Sequence, residues 1–339
     1  MKIGIIGAGI TGLTAGKVLA EAGHSVMIYE QGAFAGGRMA SMTVNQWTAD
    51  IGLPYFKSTS PEYKDFLEEL ASKNILREWK GDTYRYDEGK KERLPDEELL
   101  YIAEGGMMPV ADSLGRWLDI RFHEKIGGIT KIASSQTKKS PWMINSSRIE
   151  VFPADAVILA VPAVQAYGLV STAQDELPLR KMVSVLDEIS YSACCSFVAV
   201  YENAAMPDWK LLRSKHPVVS MITNESSKRE TGKDVVLVGQ TSSEYTHRMQ
   251  EAFDGSVHNK EIKKALSEML GPWAGKPAHF ETRHWKFKGP KKKLEGHYLE
   301  SDDETAPFAV AGDFFQGVPF ETAYLSGLRL GKDWAERFS

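Results

Sequence analysis

The chain has 339 residues, 42% hydrophobic and 25% charged, with a formal net charge of −4. That length exceeds what one compact core usually holds and suits two domains. The faint acidic balance gives no electrostatic reason to expect a nucleic-acid partner, and no run of about 18 apolar residues predicts stable membrane insertion.

Taken in chain order, residues 2–6 read as a short β-branched strand that runs into Gly7-Ala8-Gly9-Ile10-Thr11-Gly12. The opening apolar run is too short, and too broken by glycine, to predict a secretory leader. A helix to about Ala22 follows, with Leu13, Val18 and Leu19 on its apolar positions and Gly23 at its end. Residues 24–29 form a second strand, completing a βαβ unit. A glycine-rich connection, residues 32–37, closes on Arg38. Residues 63–73 and 109–118 read as helices. Residues 80–99 read as polar hairpins or loops, and 119–152 as short strands with turns. Residues 154–160 form a buried strand that Pro162 stops.

The pattern then changes. Residues 192–201, 217–223, 234–240 and 278–285 read as strands, with one amphipathic helix over 256–270 between the last two. Strands in succession predict a mixed or antiparallel sheet. Residues 308–312 form a final strand, and 321–338 a helix with Leu325, Leu328 and Trp334 on its apolar positions. The two cysteines, Cys194 and Cys195, are neighbours on a predicted strand and point to opposite faces, so no ordinary disulfide joins them. A cytoplasmic location is the expectation.

Three motifs carry chemistry. In Gly7-x-Gly9-x-x-Gly12, Gly7 permits a tight turn, Gly9 lets a pyrophosphate approach, and Gly12 lets the helix pack on the strand. The helix N-terminus offers free N–H groups to phosphates. Glu30 closes the next strand, where a carboxylate accepts both ribose hydroxyls of an adenosine. This unit alone leaves NAD and FAD open. Gly36-Gly37-Arg38 decides for FAD, because an arginine fork after a second glycine pair can close on the same pyrophosphate. Gly312-Asp313 ends the last strand, placing a carboxylate for a ribityl hydroxyl. The following helix near Thr322 and Ala323 can aim N–H groups at the flavin's pyrimidine edge, where the reduced ring carries charge.

Together with Asp50-Ile-Gly-Leu-Pro-Tyr55-Phe56, Gly105-Gly106-Met107, residues 157–162, Arg283-His284-Trp285 and Glu321-Thr-Ala323, these motifs resemble the FAD-dependent amine oxidase superfamily, most similarly the bacterial renalase-type oxidoreductases. The resemblance implies an α/β fold: a Rossmann-like FAD/NAD(P)-binding domain with a smaller substrate domain on a mixed β-sheet. The expected division is 1–60, 104–165 and 291–339 for FAD binding, and 61–103 and 166–290 for substrate. It also implies that Gly7, Gly9, Gly12, Glu30, Gly37, Arg38 and Asp313 bind FAD, and that Ile126 contacts the adenine through its backbone. The implied activity is hydride transfer from a dihydronicotinamide isomer to FAD, with O2 as the electron acceptor giving hydrogen peroxide. The substrate is a small molecule, a dinucleotide among the options.

One residue departs from the family. Pro54 stands where a glutamine often precedes the aromatic pair, and proline has neither a side-chain donor nor an N–H. Tyr55, Phe56, Tyr245 and Trp285 are candidate aromatic walls for a planar substrate. If Trp285 faces the substrate, its strand neighbour His284 does not. Lys286 is the nearest candidate for the lysine that amine oxidases place by the flavin. With Lys288, Lys291, Lys292 and Lys293 it forms either a solvated loop or an electropositive rim. Tyr55, Trp285 and Lys286 are therefore the catalytic candidates. Two other functions stay open: an amine oxidase or desaturase with a different substrate, and a flavin-binding protein with little catalysis.

Overall fold

The computed structural model describes residues 1–95, 98–132, 140–173, 177–250 and 255–339. Apolar β-branched residues place Lys2–Ile6 at the centre of a six-stranded sheet. Its order is Tyr298–Glu300, Phe308–Ala311, Ala156–Leu159, Lys2–Ile6, Ser25–Tyr29, Asp119–Arg121, parallel throughout except at the Tyr298–Glu300 edge. The chain leaves the central strand to one side through the first helix, Ile10–Glu21, and later returns on the other side. The carboxyl ends of Ile6, Tyr29, Leu159 and Val310 are therefore in register at the point where strand order reverses, where open α/β sheets bind ligands.

One face of this sheet packs on the helices Ile10–Glu21, Pro61–Ser72 and Pro319–Arg337. The last helix buries Ala323, Ser326, Gly327, Leu330, Gly331 and Trp334; Leu325 and Leu328 are only partly buried, because small residues face the first helix. The other face is covered by a three-stranded antiparallel sheet, Ile126–Lys131, Trp142–Ser146 and Val151–Ala154, and by the helices Ala163–Val170 and Leu177–Asp187.

The second large sheet has seven strands in the order His279–Pro290, Tyr191–Tyr201, Val235–Thr241, Val219–Asn224, Trp209–Ser214, Asp82–Asp87, Lys90–Arg93. Only Trp209–Ser214 and Asp82–Asp87 pair in parallel, so the sheet is mixed. Phe197, Ile222 and Leu237 pack under the helix Gly255–Leu270 through Ile262, Ala265 and Leu266. On the opposite face, Val198, Val200, Val236 and Val238 pack on the hairpin Ser41–Val44/Trp47–Asp50. That hairpin joins the two sheets.

The strand Trp209–Ser214 and the helix Ser243–Gln250 add to the elements expected for residues 190–290, so among the described residues two α-helices, rather than one, separate the last two strands. Two expected boundaries cut through packed units. Tyr63, Phe66, Leu67 and Leu70 join the core under the C-terminal helix, while Leu179, Met182, Leu186 and Ile189 join the core of the six-stranded sheet. The helices Pro61–Ser72, Ala163–Val170 and Leu177–Asp187 therefore pack with the first sheet. Among the described residues no helix is long and apolar enough to cross a membrane.

Candidate active site

The first helix begins after Gly9 and has no side-chain cap. The amides of Ile10, Thr11 and Gly12 thus lack an intrahelical acceptor. A Cβ at Gly9 would meet nothing within 4 Å, so the space before these amides is open to a ligand. The second glycine loop closes directly beside it. Gly36 N–H donates to the Ala8 carbonyl at 2.8 Å, and a Cβ at Gly37 would lie 3.3 Å from the Gly9 Cα. At the end of the next strand the Glu30 carboxylate accepts the Ala8 and Gly32 amides at 2.9 and 2.7 Å. The Glu124 amide bonds the Glu30 carbonyl at 2.8 Å, which brings the strand starting at buried Ile126 beside the same corner. Open amides at a helix N-terminus, a nearby carboxylate and an adjacent backbone strand fit the pyrophosphate and adenosine of a dinucleotide.

Arg38 and Asp313, 275 residues apart, meet at 2.5 Å. Arg38 also donates to the Phe287 carbonyl at 3.2 Å. Asp313 is buried and accepts the Tyr191 hydroxyl at 2.8 Å, while that oxygen accepts the Ala163 amide at 3.1 Å. Burial and the Asp313 charge push the Tyr191 phenol far above its ordinary range, so it stays a donor. Tyr191 meets Phe287 edge to face at 5.5 Å. Arg38, bonded to both Asp313 and the Phe287 carbonyl, thus joins the end of the first sheet's Phe308–Ala311 strand to the substrate sheet's edge strand.

The C-terminal helix begins earlier than its sequence suggests, at Pro319. Thr322 N–H already donates to Val318 O at 2.8 Å, and Ala323 is tied to the first helix through Thr11 Oγ1, which donates to its carbonyl at 2.8 Å. The open amides at this end are those of Phe320 and Glu321, two residues before the expected Thr322 and Ala323.

Between these parts runs the segment 50–56. The Asp50 amide donates to Glu225 Oε2 at 3.1 Å. Gly52 and Leu53 amides bond the carbonyls of Ala40 and Arg38. The Ile51 carbonyl accepts Trp285 Nε1 at 3.1 Å, the Gly52 carbonyl accepts Gln240 Nε2 at 3.1 Å, and the Pro54 carbonyl accepts Lys228 Nζ at 2.6 Å. Phe56 is buried, exchanges both backbone bonds with Tyr101, and meets Phe320 at 5.6 Å. Thr59 donates through its amide and hydroxyl to Glu321.

Behind the segment lies a buried ionic group. Lys228 pairs with Asp50 at 3.1 Å and Glu225 at 2.6 Å; Arg229 pairs with the same two at 2.9 and 2.6 Å. Burial raises the Asp50 carboxyl, but Lys228, Arg229 and the Ser41 hydroxyl bring it below its ordinary range.

Of the catalytic candidates, Trp285 lies on the face toward the hairpin and also donates to Ser196 Oγ at 3.0 Å. Tyr55 is half-buried, its ring 5.9 Å from Trp79. Lys286 is corrected: it is exposed and one residue from Trp285 on the strand, so it shares the opposite face with His284. Burial and this ammonium hold His284 below its ordinary range. Tyr245 is also on that far side, buried and stacked on His258 at 5.3 Å, so it is core rather than substrate wall. In the lysine cluster, Lys292 pairs with Glu188 and Lys293 bonds the Gly317 carbonyl. Two surface grooves lie elsewhere, one of about 540 Å3 at Met206, Trp209 and Trp273, and one of about 430 Å3 at Phe34, Arg116 and Phe122. Neither is lined by any of the ligand-facing residues above.

Sequence reasoning missed Tyr191, Gln240, Glu225, Lys228 and Arg229. Only the 3- and 4-residue spacing of Glu225 with Lys228 and Arg229 hinted at a pairing, and that spacing is equally common on solvated turns.

Residues 5–70 match the NAD(P)-binding Rossmann-like domain, and residues 88–330 match the flavin containing amine oxidoreductase family. A 4,4'-diapophytoene desaturase (4,4'-diaponeurosporene-forming) of Staphylococcus aureus (strain bovine RF122 / ET3-1) is 43% identical over 74 residues, 22% of this chain and 14% of the desaturase. Among solved structures, wild-type putrescine oxidase bound to putrescine superposes with a TM-score of 0.74 at 15% identity, covering 100% of this chain and 99% of that one. Cyclohexylamine oxidase from Brevibacterium oxydans IH-35A gives 0.74 at 15% identity, covering 99% of each. At such identities the likeness is one of fold.

Proposed function

This chain belongs to the flavin-containing amine oxidoreductase family, and from that premise we propose that it is an FAD-dependent oxidase taking hydride from a reduced nitrogen heterocycle, a dihydronicotinamide isomer. Bound FAD supplies the chemistry, accepting two electrons from the donor and passing them to O2 to give hydrogen peroxide.

The chain's own residues do the binding and orienting. The amides of Ile10, Thr11 and Gly12 and the Arg38 fork hold the pyrophosphate, with Gly7, Gly9 and Gly37 giving it room. Glu30 holds the ribose, and the backbone near Ile126 borders the adenine. Asp313 takes a ribityl hydroxyl. The amides of Phe320 and Glu321 face the polar edge of the ring, and Tyr55 and Trp285 border the substrate.

The observation that carries the reading of the donor is the state of the charged groups behind segment 50–56. Asp50, Glu225, Lys228 and Arg229 already neutralise one another, and Trp285 and Gln240 donate to backbone carbonyls. A protonated amine must lose a proton before it gives up hydride. A dihydropyridine needs no such base, so a wall of aromatic edges and engaged polar groups suits it. The sequence likeness to renalase-type oxidoreductases supports the same donor. A cytoplasmic setting belongs to this reading.

Anaerobic mixing of the purified holoprotein with 1,2-, 1,4- and 1,6-dihydronicotinamide mononucleotides tests it. Bleaching of the flavin band at about 450 nm by one isomer is the expected result. Bleaching by putrescine or cyclohexylamine, and by no dihydropyridine, would replace it with the amine reading that the relatives' names suggest. A flavin that no donor reduces would favour the non-catalytic alternative.

A further inference from the structure

Lys228 is fully buried; with Arg229 it balances the charges of Asp50 and Glu225, and it also makes a contact that this balance does not require. Arg229 already pairs with both Asp50 and Glu225. The contact that belongs to Lys228 alone is the Pro54 carbonyl, at 2.6 Å. Pro54 has no N–H, so its backbone can be held only through that oxygen.

The next residue is Tyr55. Its ring leans on Trp79 at 5.9 Å, and the Lys228 ammonium lies 5.1 Å from the same Trp79 ring. Trp79 is itself fixed, its Nε1 donating to Ser227 Oγ at 2.9 Å, one residue before Lys228. The Arg213 guanidinium, which pairs with Glu98, lies beside the Tyr55 hydroxyl. Tyr55 is therefore set from three sides: at its hydroxyl by Arg213, at its ring by Trp79, and at its preceding carbonyl by Lys228.

We propose that Lys228 is a positioning residue, which fixes the orientation of Tyr55 toward the substrate by clamping the Pro54 carbonyl and supporting the Trp79 ring. The inference rests on Tyr55 bordering the substrate. It also accounts for Pro54: where the chain has no glutamine, the rigidity of this position comes from a cation behind the backbone.

The test compares Lys228→Met with the charge-balanced pair Glu225→Gln/Lys228→Met, which removes one cation and one anion together. Hydrogen exchange of the amides in 52–56 is read in the holoprotein, alongside the half-saturation for flavin reduction by the active dihydronicotinamide mononucleotide. In both variants exchange of that segment rises about tenfold, with exchange of Lys2–Ile6 unchanged. Half-saturation rises about tenfold and the limiting reduction rate stays within about twofold.

If the paired variant returns to wild-type exchange and half-saturation, Lys228 is only a counter-charge and the inference fails. Faster exchange with unchanged half-saturation also overturns it. Should Lys228→Met not fold, the paired variant alone decides between these outcomes. A wild-type flavin that no dihydropyridine reduces refutes the proposed donor, and the exchange of 52–56 still decides the clamp.

Discussion

Asp313 shows what one side chain carries here. It is buried, ion-paired with Arg38 and hydrogen-bonded by Tyr191. Asp313→Ala removes the carboxylate and leaves the Arg38 fork without the partner that aims it. A hydrogen bond to a charged group contributes about 1.5–3 kcal/mol, so FAD should bind about 10- to 100-fold more weakly. Absorbance titration of the apoprotein reads this directly; an unchanged affinity would remove Asp313 from the site. Arg38 and Asp313 were legible because Gly-Gly-Arg and Gly-Asp are local patterns with local reasons. Tyr191 was not. A tyrosine at the start of an apolar strand has no sequence mark distinguishing it from core, and only the return of residue 313 gives it a role. Lys286 misled for the converse reason: lysine near a family position is a frequent event, and strand alternation rather than proximity decides which way it faces.

At the scale of elements, the first and last helices are held against each other by missing side chains. A Cβ at Gly327 would lie 2.3 Å from the Thr11 carbonyl oxygen, inside the backbone of the helix that offers its amides to phosphate. Gly327→Val is therefore expected to cost about 1–3 kcal/mol by overpacking, read as a lower urea midpoint. It should also lower flavin retention, because the Thr11–Ala323 bond and the first turn must shift together. A variant with an unaltered midpoint would contradict the close packing. Apolar elements that run out at a glycine were read correctly from the sequence, among them Lys2–Ile6, Ile10–Glu21 and Phe308–Ala311. Trp209–Ser214 escaped because its sequence mixes Lys210 and Arg213 into the strand. Lys210 is nevertheless buried, its ammonium donating to the Trp79 carbonyl at 2.9 Å. The turn that starts at Glu225 escaped likewise: its run of charged residues reads as solvent-facing until Asp50 arrives from 175 residues away.

Over the whole molecule, the buried Asp50 links acid stability to the junction between the sheets. Its carboxyl lies below its unfolded value of about 3.9, so its stabilisation is complete above that pH and is lost as pH falls through the lower folded value. Asp50→Asn should therefore melt well below wild type at pH 7, since breaking a buried pair costs about 3–5 kcal/mol. The gap should narrow as pH falls through that lower folded value and the wild-type carboxyl protonates. Melts of both proteins at pH 7 and at low pH check the sign; a gap that widened in acid would refute it. Cofactor acts on the same balance. FAD at a hundred times its dissociation constant adds about 2.7 kcal/mol, so the apoprotein should melt lower and recover on titration.

The Arg38–Asp313 pair also sets a clock. At about 5–20 residues per second, residue 313 leaves the ribosome roughly 15–60 s after the glycine loop that it completes. Through that interval the first helix has an uncovered face; the strand Ala156–Leu159, once made, has an unpaired edge, while the strands Tyr191–Tyr201, Val219–Asn224 and Val235–Thr241 can already pair among themselves. Loading with flavin is then the closing act of biogenesis, and the nascent chain must be kept from using that open edge for anything else.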